Sequence, residues 1–303
     1  MAPTRNLPSG HLHSHRRLVG LAALLALAAP TVLALVPPAA ASATHSGPVD
    51  VLSAGSLQDL MQEQVGPAFT KATGYTLVNT SMGSTALASG IQGGTLRGDV
   101  FISASPAVNT TLEGASNGSW VSWYAEFASS PLVLGYNPSS KFAQALERQP
   151  WYRVVSQPGF LLGRTDPATD PKGVLAVTAL DQMAQKHNRP ALTTIATSTS
   201  NVFPEQSLVG QLQAGQLDAG FFYGVEAAAA SLKTVPLTGT KLAGDYTITI
   251  LDQAPHRAAA RAFVAYLLSK PGEKLLKKNG IVPFTPPKVT GKASVPRSLK
   301  AIL

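Results

Sequence analysis

A strand–turn–helix pattern that occurs twice near the start of the chain constrains its fold more than any other feature. The apolar run 49–53 passes through Gly-Ser56 into a helical pattern, and Gly-Ser84 follows a second strand in the same way. A third strand, 99–103, comes after the second helix. This order predicts a βαβαβ unit with parallel strands, in which each turn delivers a serine to the start of a helix.

Both serines have two interpretations. The free N–H groups and the positive dipole end at a helix N-terminus favour an anion, so Ser56 and Ser84 facing one cleft would hold an oxyanion. Serine is also a favoured N-cap, and Ser56 with Asp59 has the spacing of a capping box. Each serine alone is explained by capping, and only a larger set of residues indicates a binding site.

The N-terminal segment has the layout of an export signal. A positive stretch at His15-Arg16-Arg17 precedes the apolar run 18–36 and the small-residue pattern Ala41-Ser-Ala43. We expect a signal peptide over 1–43, cleaved after Ala43, and a location in the periplasm or outside the cell envelope. A retained membrane anchor is the alternative, because the apolar run is long enough to span a bilayer, but Pro30 interrupts it.

Composition and charge exclude several classes of protein. With 45% apolar and 13% charged residues, the 303-residue chain is globular and large enough for two lobes. It has no cysteine, so a disulfide framework, a thiolate metal site and a lipidated cysteine are excluded. Residues 270–303 carry +7 of the net charge, whereas the rest of the chain after the leader is −2. We therefore expect no nucleic-acid binding and interpret the basic tail as a solvated surface or an envelope contact.

The remaining chain indicates a second α/β block followed by a return to the first. A strand at 131–136 leaves the first unit, a strand at 241–251 comes back to it, and a single helix is predicted over 256–279. We predict an α/β protein with largely parallel sheets, a hinged cleft and an irregular tail after Pro283. The predicted lobe I comprises 44–130 plus 238–303, and lobe II comprises 131–237.

The second block offers three polar side chains at the ends of its elements. Asp170 precedes a helix that we expect to begin near Val174, Glu205 follows a proline at another helix start, and Tyr223 ends a short buried strand. Turn formation, the helix dipole and core packing account for each of them separately. Alternatively, all three face the cleft, where the carboxyl ends of strands meet helix N-termini.

Taken in order, these pieces resemble the molybdate/tungstate-binding proteins of ABC importers over nearly the whole chain after the leader. The matching motifs are Ala54-Gly-Ser56-Leu, Gly83-Ser84 with Leu87, Gly93-Gly94 before Asp99-Val-Phe-Ile-Ser-Ala104, Asp166-Pro with Asp170-Pro-Lys-Gly173, and Glu205 with Gly215-Gln-Leu-Asp-Ala-Gly-Phe-Phe-Tyr223. The resemblance implies the two-lobed, type II periplasmic-binding-protein fold. It also implies a membrane permease as partner, and we expect a monomer that carries the oxyanion as cargo and has no cofactor.

The family holds its oxyanion in two ways, and this sequence shares features with both. Ser56, Ser84 and Tyr223 resemble a tetrahedral site of hydroxyl and backbone donors. Asp170 and Glu205 match the carboxylates that, in the archaeal-type branch, approach the metal centre and raise its coordination toward six. The resemblance therefore assigns these five residues to the ligand site and the two carboxylates to Mo or W.

Other functions fit the sequence less well. Sulfate or phosphate is the alternative ligand, held by helix N-termini alone, and an exported hydrolase is the least favoured function. The chain has neither a Gly-x-Ser-x-Gly elbow nor a phosphate-binding P-loop. His187 and His256 occur singly near helix ends and are predicted to lie on the surface, so a triad or zinc hydrolase would lack its base. We therefore expect no enzymatic activity, and the sequence does not rank molybdate against tungstate.

Overall fold

The computed structural model describes residues 46–303. The predicted signal peptide 1–43 and its cleavage position after Ala43 lie outside the described residues. Between residues 46 and 303, no helix is both long enough and apolar enough to cross a bilayer.

The first strands and helices confirm the predicted βαβαβ unit. Strand β1, Pro48–Ala54, pairs in parallel with β2, Thr76–Met82, and with β3, Val100–Ser103. The first connection is helical from a 3₁₀ turn at Gly55–Leu57 through a π-helical stretch, Leu60–Val65, to α1, Gly66–Thr73. Gly74 ends it with φ of 84°, a left-handed conformation that suits glycine. The second connection is α2, Ser84–Gln92.

The elements that follow alternate between strands and helices. The remaining strands are β4 Tyr124–Tyr136, β5 Leu162–Thr165, β6 Val202–Phe203, β7 Ala219–Tyr223, β8 Lys233–Pro236, β9 Ala243–Ile250 and β10 Val282–Thr290. The remaining α-helices are α3 Pro106–Thr110, α4 Ala143–Arg148, α5 Trp151–Val154, α6 Pro171–His187, α7 Pro190–Thr197, α8 Glu205–Gln213, α9 Gly224–Ala229, α10 Arg257–Leu267 and α11 Lys270–Lys278.

Strand β4 joins the two halves of the sheet. Its first part pairs with β9 and β10, and its last part, 132–136, pairs with β7 and β8. All these pairings are antiparallel, as is β3 with β9, whereas β5 pairs in parallel with β6 and β7. The sheet is therefore mixed, and the expectation of largely parallel sheets is wrong. The predicted lobe boundaries at 130/131 and 237/238 stay a prediction.

Two predictions for the C-terminal region are wrong. The single helix expected over 256–279 is two helices, because the Ser269 side chain accepts a hydrogen bond from the Gly272 backbone N–H and caps a new helix that begins at Lys270, with Pro271 in its first turn. The tail after Pro283 is not irregular, since β10 pairs with β4 across a register shift between Pro283 and Lys288. Prolines are tolerated there because β10 lies at an edge of the sheet and is bulged.

Aromatic rings pack two helices together in the first half of the molecule and a helix against the sheet in the second. Phe69 of α1 packs edge-on against Phe263 of α10, with ring centroids 5.3 Å apart. In the second half, Trp151 packs edge-on against Phe221 of β7, at 5.8 Å. All four side chains are buried, and full burial of such a side chain contributes about 1.5–3 kcal/mol. These contacts belong to the buried core beneath the element ends described next.

Candidate ligand-binding site

The structure brings the five predicted site residues to neighbouring element ends. Ser56 lies in the 3₁₀ turn after β1, and Ser84 is the first residue of α2. Asp170 is the N-cap of α6, Glu205 is the first residue of α8, and Tyr223 ends β7 and precedes α9. All five are buried. Helix α6 begins at Pro171, three residues earlier than predicted.

The two serines are held by neighbours in the first half of the sheet. Ser56 Oγ shares a hydrogen bond of 2.9 Å with the hydroxyl of Tyr246, which lies on β9. Ser84 Oγ accepts a hydrogen bond of 3.0 Å from the Ala104 backbone N–H. Since that bond uses a lone pair, the Ser84 hydroxyl proton remains available for donation to a ligand.

Asp170 both caps a helix and offers a free oxygen. Its Oδ1 accepts a hydrogen bond of 2.9 Å from the Lys172 backbone N–H, as the capping interpretation requires. Its Oδ2 is buried and has no hydrogen-bond partner. The structure therefore fits both interpretations of Asp170, with one oxygen for each.

Glu205 repeats this arrangement through an ion pair. Its Oε1 lies 3.2 Å from Lys172 Nζ, and its Oε2 is buried without a hydrogen-bond partner. Lys172 Nζ also donates to both carboxylate oxygens of Glu226, at 2.6 and 2.8 Å. One fully buried ammonium thus lies between two buried carboxylates.

Tyr223 contributes a third unpartnered group. Its hydroxyl oxygen is buried and has no hydrogen-bond partner, and its ring packs edge-on against that of Tyr246 at 6.0 Å. A Cβ placed on Gly244 would lie 3.0 Å from the Tyr223 hydroxyl oxygen, so the β9 backbone approaches this ring closely. Among the described residues, five buried side-chain polar atoms lack a partner, and three of them belong to Asp170, Glu205 and Tyr223. Native proteins leave few such atoms unsatisfied, so this cluster indicates a place for a polar ligand.

The segments that carry these groups meet face to face. A Cβ on Gly55 would overlap Glu205 Oε2, and a Cβ on Gly83 would overlap the carbonyl oxygen of Thr169. Two hydrogen bonds also join the first half of the chain to the second. Ala86 N–H donates to the Thr169 carbonyl at 3.0 Å, and Gln206 Nε2 donates to the Ser81 carbonyl at 2.8 Å. The cleft is therefore closed around the site in this structure.

Burial and mutual repulsion shift the protonation of the site. Burial, with the nearby Asp170 carboxylate, raises the pKa of Glu205 to about 8 although Lys172 opposes the shift. Burial also raises the pKa of Glu226 and that of the Tyr223 hydroxyl. For Lys172, burial acts to lower the pKa, but the carboxylates of Glu226, Glu205 and Asp170 outweigh it and raise the pKa, so the ammonium stays charged.

Three residues of this cluster were missed by sequence reasoning. Lys172 stands in the Asp-Pro-Lys-Gly motif, yet a lysine in the first turn of a helix is ordinarily solvent-exposed. Glu226 follows Tyr223 at the spacing of a capping box, which is the one local signal that was available, and its Oε2 accepts from the Tyr223 N–H at 3.4 Å. Tyr246 reaches Ser56 across 190 positions of sequence, so no local pattern indicates it.

A second polar cluster lies at the opposite ends of the same strands. The Asp99 carboxylate accepts from the backbone N–H groups of Asp50 and His256, at 2.8 and 2.6 Å, and pairs with His256 Nδ1 at 3.0 Å. These residues could offer three ligand atoms to a metal, within 4.8 Å of one another. Because the Asp99 oxygens are already occupied, the cluster fastens β1 and β3 to the start of α10. His256 is half-buried in this cluster, whereas His187 lies on the surface as predicted.

Comparison with known proteins decides the family. The model of the bacterial extracellular solute-binding proteins matches residues 49–282. The chain belongs to that family. A putative ABC transporter molybdenum-binding protein of Haloferax volcanii is 31% identical to this solute-binding protein over 222 residues, which cover 73% of this chain and 66% of the relative. The molybdate/tungstate-binding protein WtpA of Pyrococcus abyssi is 24% identical over 236 residues, covering 61% of this chain and 68% of WtpA.

Solved structures confirm the fold of this solute-binding protein. The periplasmic molybdate-binding protein of Azotobacter vinelandii superimposes with a TM-score of 0.60 at 18% identity, covering 77% of this chain and 98% of that one. The predicted two-lobed periplasmic-binding-protein fold is therefore correct. At 18% identity, the superposition shows a shared fold and does not show a shared ligand.

Proposed function

We propose that this solute-binding protein captures molybdate or tungstate and delivers it to the membrane permease of an ABC importer. The observation that carries the proposal is the cluster of unpartnered buried atoms, Asp170 Oδ2, Glu205 Oε2 and the Tyr223 hydroxyl, in a closed cleft. The names of the relatives, a molybdenum-binding and a molybdate/tungstate-binding protein, support the choice of ligand.

Charge explains why these oxyanions fit better than others. With all groups ionised, Asp170, Glu205 and Glu226 against Lys172 give the site a net charge of −2, so a dianion is repelled unless a carboxyl is protonated or bonds directly to the ligand's central atom. Mo(VI) and W(VI) can accept additional oxygen ligands, whereas sulfur and phosphorus have no comparable tendency. Two carboxylate oxygens facing the ligand therefore favour molybdate and tungstate over sulfate and phosphate.

Each site residue has a role in this proposal. Ser56 and Ser84 donate hydroxyl and backbone hydrogen bonds to ligand oxygens, and the Tyr223 hydroxyl donates a further one. Asp170 Oδ2 and Glu205 Oε2 approach the metal centre. The ligand is cargo, so the protein performs no reaction on it and needs no cofactor.

The predicted leader fits this function. Removal of 1–43 after Ala43 would release the protein outside the cytoplasmic membrane, where it would meet both its ligand and the permease. The closed cleft is the form that a permease would recognise. We expect the protein to act as a monomer.

Calorimetric titration of the chain from Thr44 onward with molybdate, tungstate, sulfate and phosphate tests the proposal. We expect tight one-to-one binding of the first two and weak or no binding of the others. Preference for sulfate or phosphate would replace the ligand and remove the metal-centred role of the carboxylates. Absence of binding to all four anions would contradict the proposal.

Two substitutions test the carboxylates themselves. Asp170→Asn and Glu205→Gln should each weaken molybdate binding more than sulfate binding, because only the former uses a carboxylate oxygen at the central atom. Asp166→Asn is the matched control: it lies in the same loop, and its Oδ1 accepts from the Ala168 N–H, a bond that asparagine retains. Equal losses for both anions would remove Asp170 and Glu205 from the proposed role.

A further inference from the structure

Lys172 is the least expected residue of the site. Its side chain is fully buried, and its Nζ lies 5.7 and 5.8 Å from the ring centroids of Phe222 and Tyr223. It stands in the first turn of α6, where the positive end of the helix dipole disfavours a cation. A buried ammonium in such a place requires close carboxylate partners.

Glu226 alone would meet that requirement. Both of its carboxylate oxygens accept from Lys172 Nζ, at 2.6 and 2.8 Å, so the charge is already paired with good geometry. The contact with Glu205 Oε1, at 3.2 Å, is additional. This contact positions the Glu205 carboxylate. Lys172 binds Oε1, and the other oxygen, Oε2, lies against the backbone of Gly55.

The backbone of the same residue acts on the other carboxylate. Lys172 N–H donates to Asp170 Oδ1 at 2.9 Å, which leaves Asp170 Oδ2 without a partner. One residue therefore holds one oxygen of each carboxylate, through its amide and its ammonium respectively. In both cases the second oxygen is the unpartnered one.

We infer that Lys172 is the specificity-determining positioning residue of the site: it binds one oxygen of Asp170 and of Glu205 and so presents the other oxygen of each to the ligand's central atom. This inference rests on the proposed function. It assigns the selection against tetrahedral oxyanions of sulfur and phosphorus to Lys172 as much as to the carboxylates. Without the ammonium, Glu205 would be free to rotate away or to turn its other oxygen inward.

Lys172→Met removes the ammonium and retains the backbone N–H, so it separates the two contacts. We expect bound molybdate to lose the Glu205 oxygen and keep that of Asp170, which X-ray absorption at the molybdenum edge would detect as one fewer oxygen neighbour. The ratio of molybdate to sulfate affinity should fall by about tenfold or more. Lys186→Met, an exposed lysine in the last turn of the same helix, is the control.

A double-mutant cycle shows whether Lys172 acts through Glu205. Lys172→Met and Glu205→Gln should each lower the affinity ratio, and the double variant should lower it little further, because both changes remove the same oxygen from the ligand. Additive losses, or an unchanged absorption spectrum in Lys172→Met, would overturn the inference.

A companion variant addresses folding. Lys172→Met combined with Glu226→Gln leaves no unpaired charge at Glu226 and should show the same absorption spectrum as Lys172→Met alone. If neither variant folds, Lys172 belongs to the core and the inference is overturned. If the wild-type protein binds none of the four oxyanions, the proposed function fails instead, so the two failures are distinguishable.

Discussion

At the scale of single residues, two neighbouring tyrosines differ in whether their buried hydroxyls have a hydrogen-bond partner. Tyr246 and Tyr223 are both fully buried and pack against each other. The hydroxyl of Tyr246 is bonded to Ser56, whereas that of Tyr223 has no partner. An unsatisfied buried polar group costs about 1–3 kcal/mol, a cost that a bound oxyanion would relieve.

Replacement of each tyrosine by phenylalanine should therefore affect the stability of the ligand-free protein differently. Tyr223→Phe should leave the ligand-free protein as stable as the wild type or more stable, and should weaken molybdate binding by about tenfold because a donor to the ligand is lost. Tyr246→Phe should destabilise the ligand-free protein by about 1 kcal/mol, since it leaves Ser56 without its partner. Thermal unfolding with and without molybdate measures both effects, and a clear loss of ligand-free stability in Tyr223→Phe would contradict the assignment.

Glu205 should make the ligand-free protein sensitive to pH. Its pKa rises from 4.5 to about 8 on folding, so the native state binds this proton more tightly than the unfolded state does. The resulting stabilisation is complete below about pH 4.5 and is lost as the pH rises through about 8. The unfolding free energy of the wild type relative to Glu205→Gln should therefore fall across this range. Unfolding curves in denaturant measure it, with exposed Glu63→Gln as control, and a pH-independent difference would contradict the prediction.

The candidate site was predictable from sequence to the extent that its residues occupy recognisable element ends. Ser56, Ser84, Asp170 and Glu205 all stand at helix starts, and the structure places each of them there. Lys172 and Tyr246 could not be found in this way. Burial of a lysine depends on carboxylates from two other segments, and the Tyr246 contact depends on how β9 returns to the sheet.

At the scale of elements, the C-terminal strand shows what local composition fails to predict. Prolines and lysines made the tail resemble an irregular segment, but β10 completes the edge of the sheet beside β4, and the turn after it buries Leu299. Strand β10 is stabilised by its pairing with β4, and the sequence of the tail itself contains no information about that distant strand. The βαβαβ unit was predicted correctly because its signals, short apolar runs and glycine stops, are local.

A pair of substitutions in the C-terminal turn measures how much this segment stabilises the fold. Leu299 is 1% exposed and packs in the main core, whereas Ile302 is 38% exposed. Leu299→Ala should cost about 2–5 kcal/mol of unfolding free energy, as for other buried leucines. Ile302→Ala should cost much less. Equal small effects in denaturant unfolding would mean that the tail packs loosely.

At the scale of the whole molecule, closure of the cleft depends on two glycines. Gly55 and Gly83 allow the segments of Ser56 and Ser84 to approach Glu205 and Thr169 so closely that a Cβ at either position would overlap them. Gly83 has φ of −52° and ψ of 133°, which other residues adopt readily. Its lack of a side chain is needed for the approach between the two sides and not for the backbone conformation.

Gly83→Ala should therefore impair closure without unfolding the protein. The added methyl would meet the Thr169 carbonyl oxygen and would cost the closed form about 1–3 kcal/mol, which corresponds to weaker binding of every oxyanion. Small-angle scattering with molybdate should show a more open molecule. Gly210→Ala is the control, because a Cβ there meets nothing within 4 Å and the change should only stabilise α8. Unchanged affinity in Gly83→Ala would contradict this account of closure.

The course of β4 determines what kind of motion can open such a cleft. This single strand of 13 residues is hydrogen-bonded to β9 and β10 in its first part and to β7 and β8 in its last. The two sides are therefore joined by an ordered strand and by the segment 237–242, whose Leu242 carbonyl accepts a hydrogen bond from the Leu132 N–H, so separation has to twist a paired ribbon. We expect such a joint to resist rotation, because turning one side against the other would strain the hydrogen bonds between β4 and its partner strands. If the protein delivers its ligand to a permease as proposed, opening of the cleft at the membrane would have to strain these hydrogen bonds.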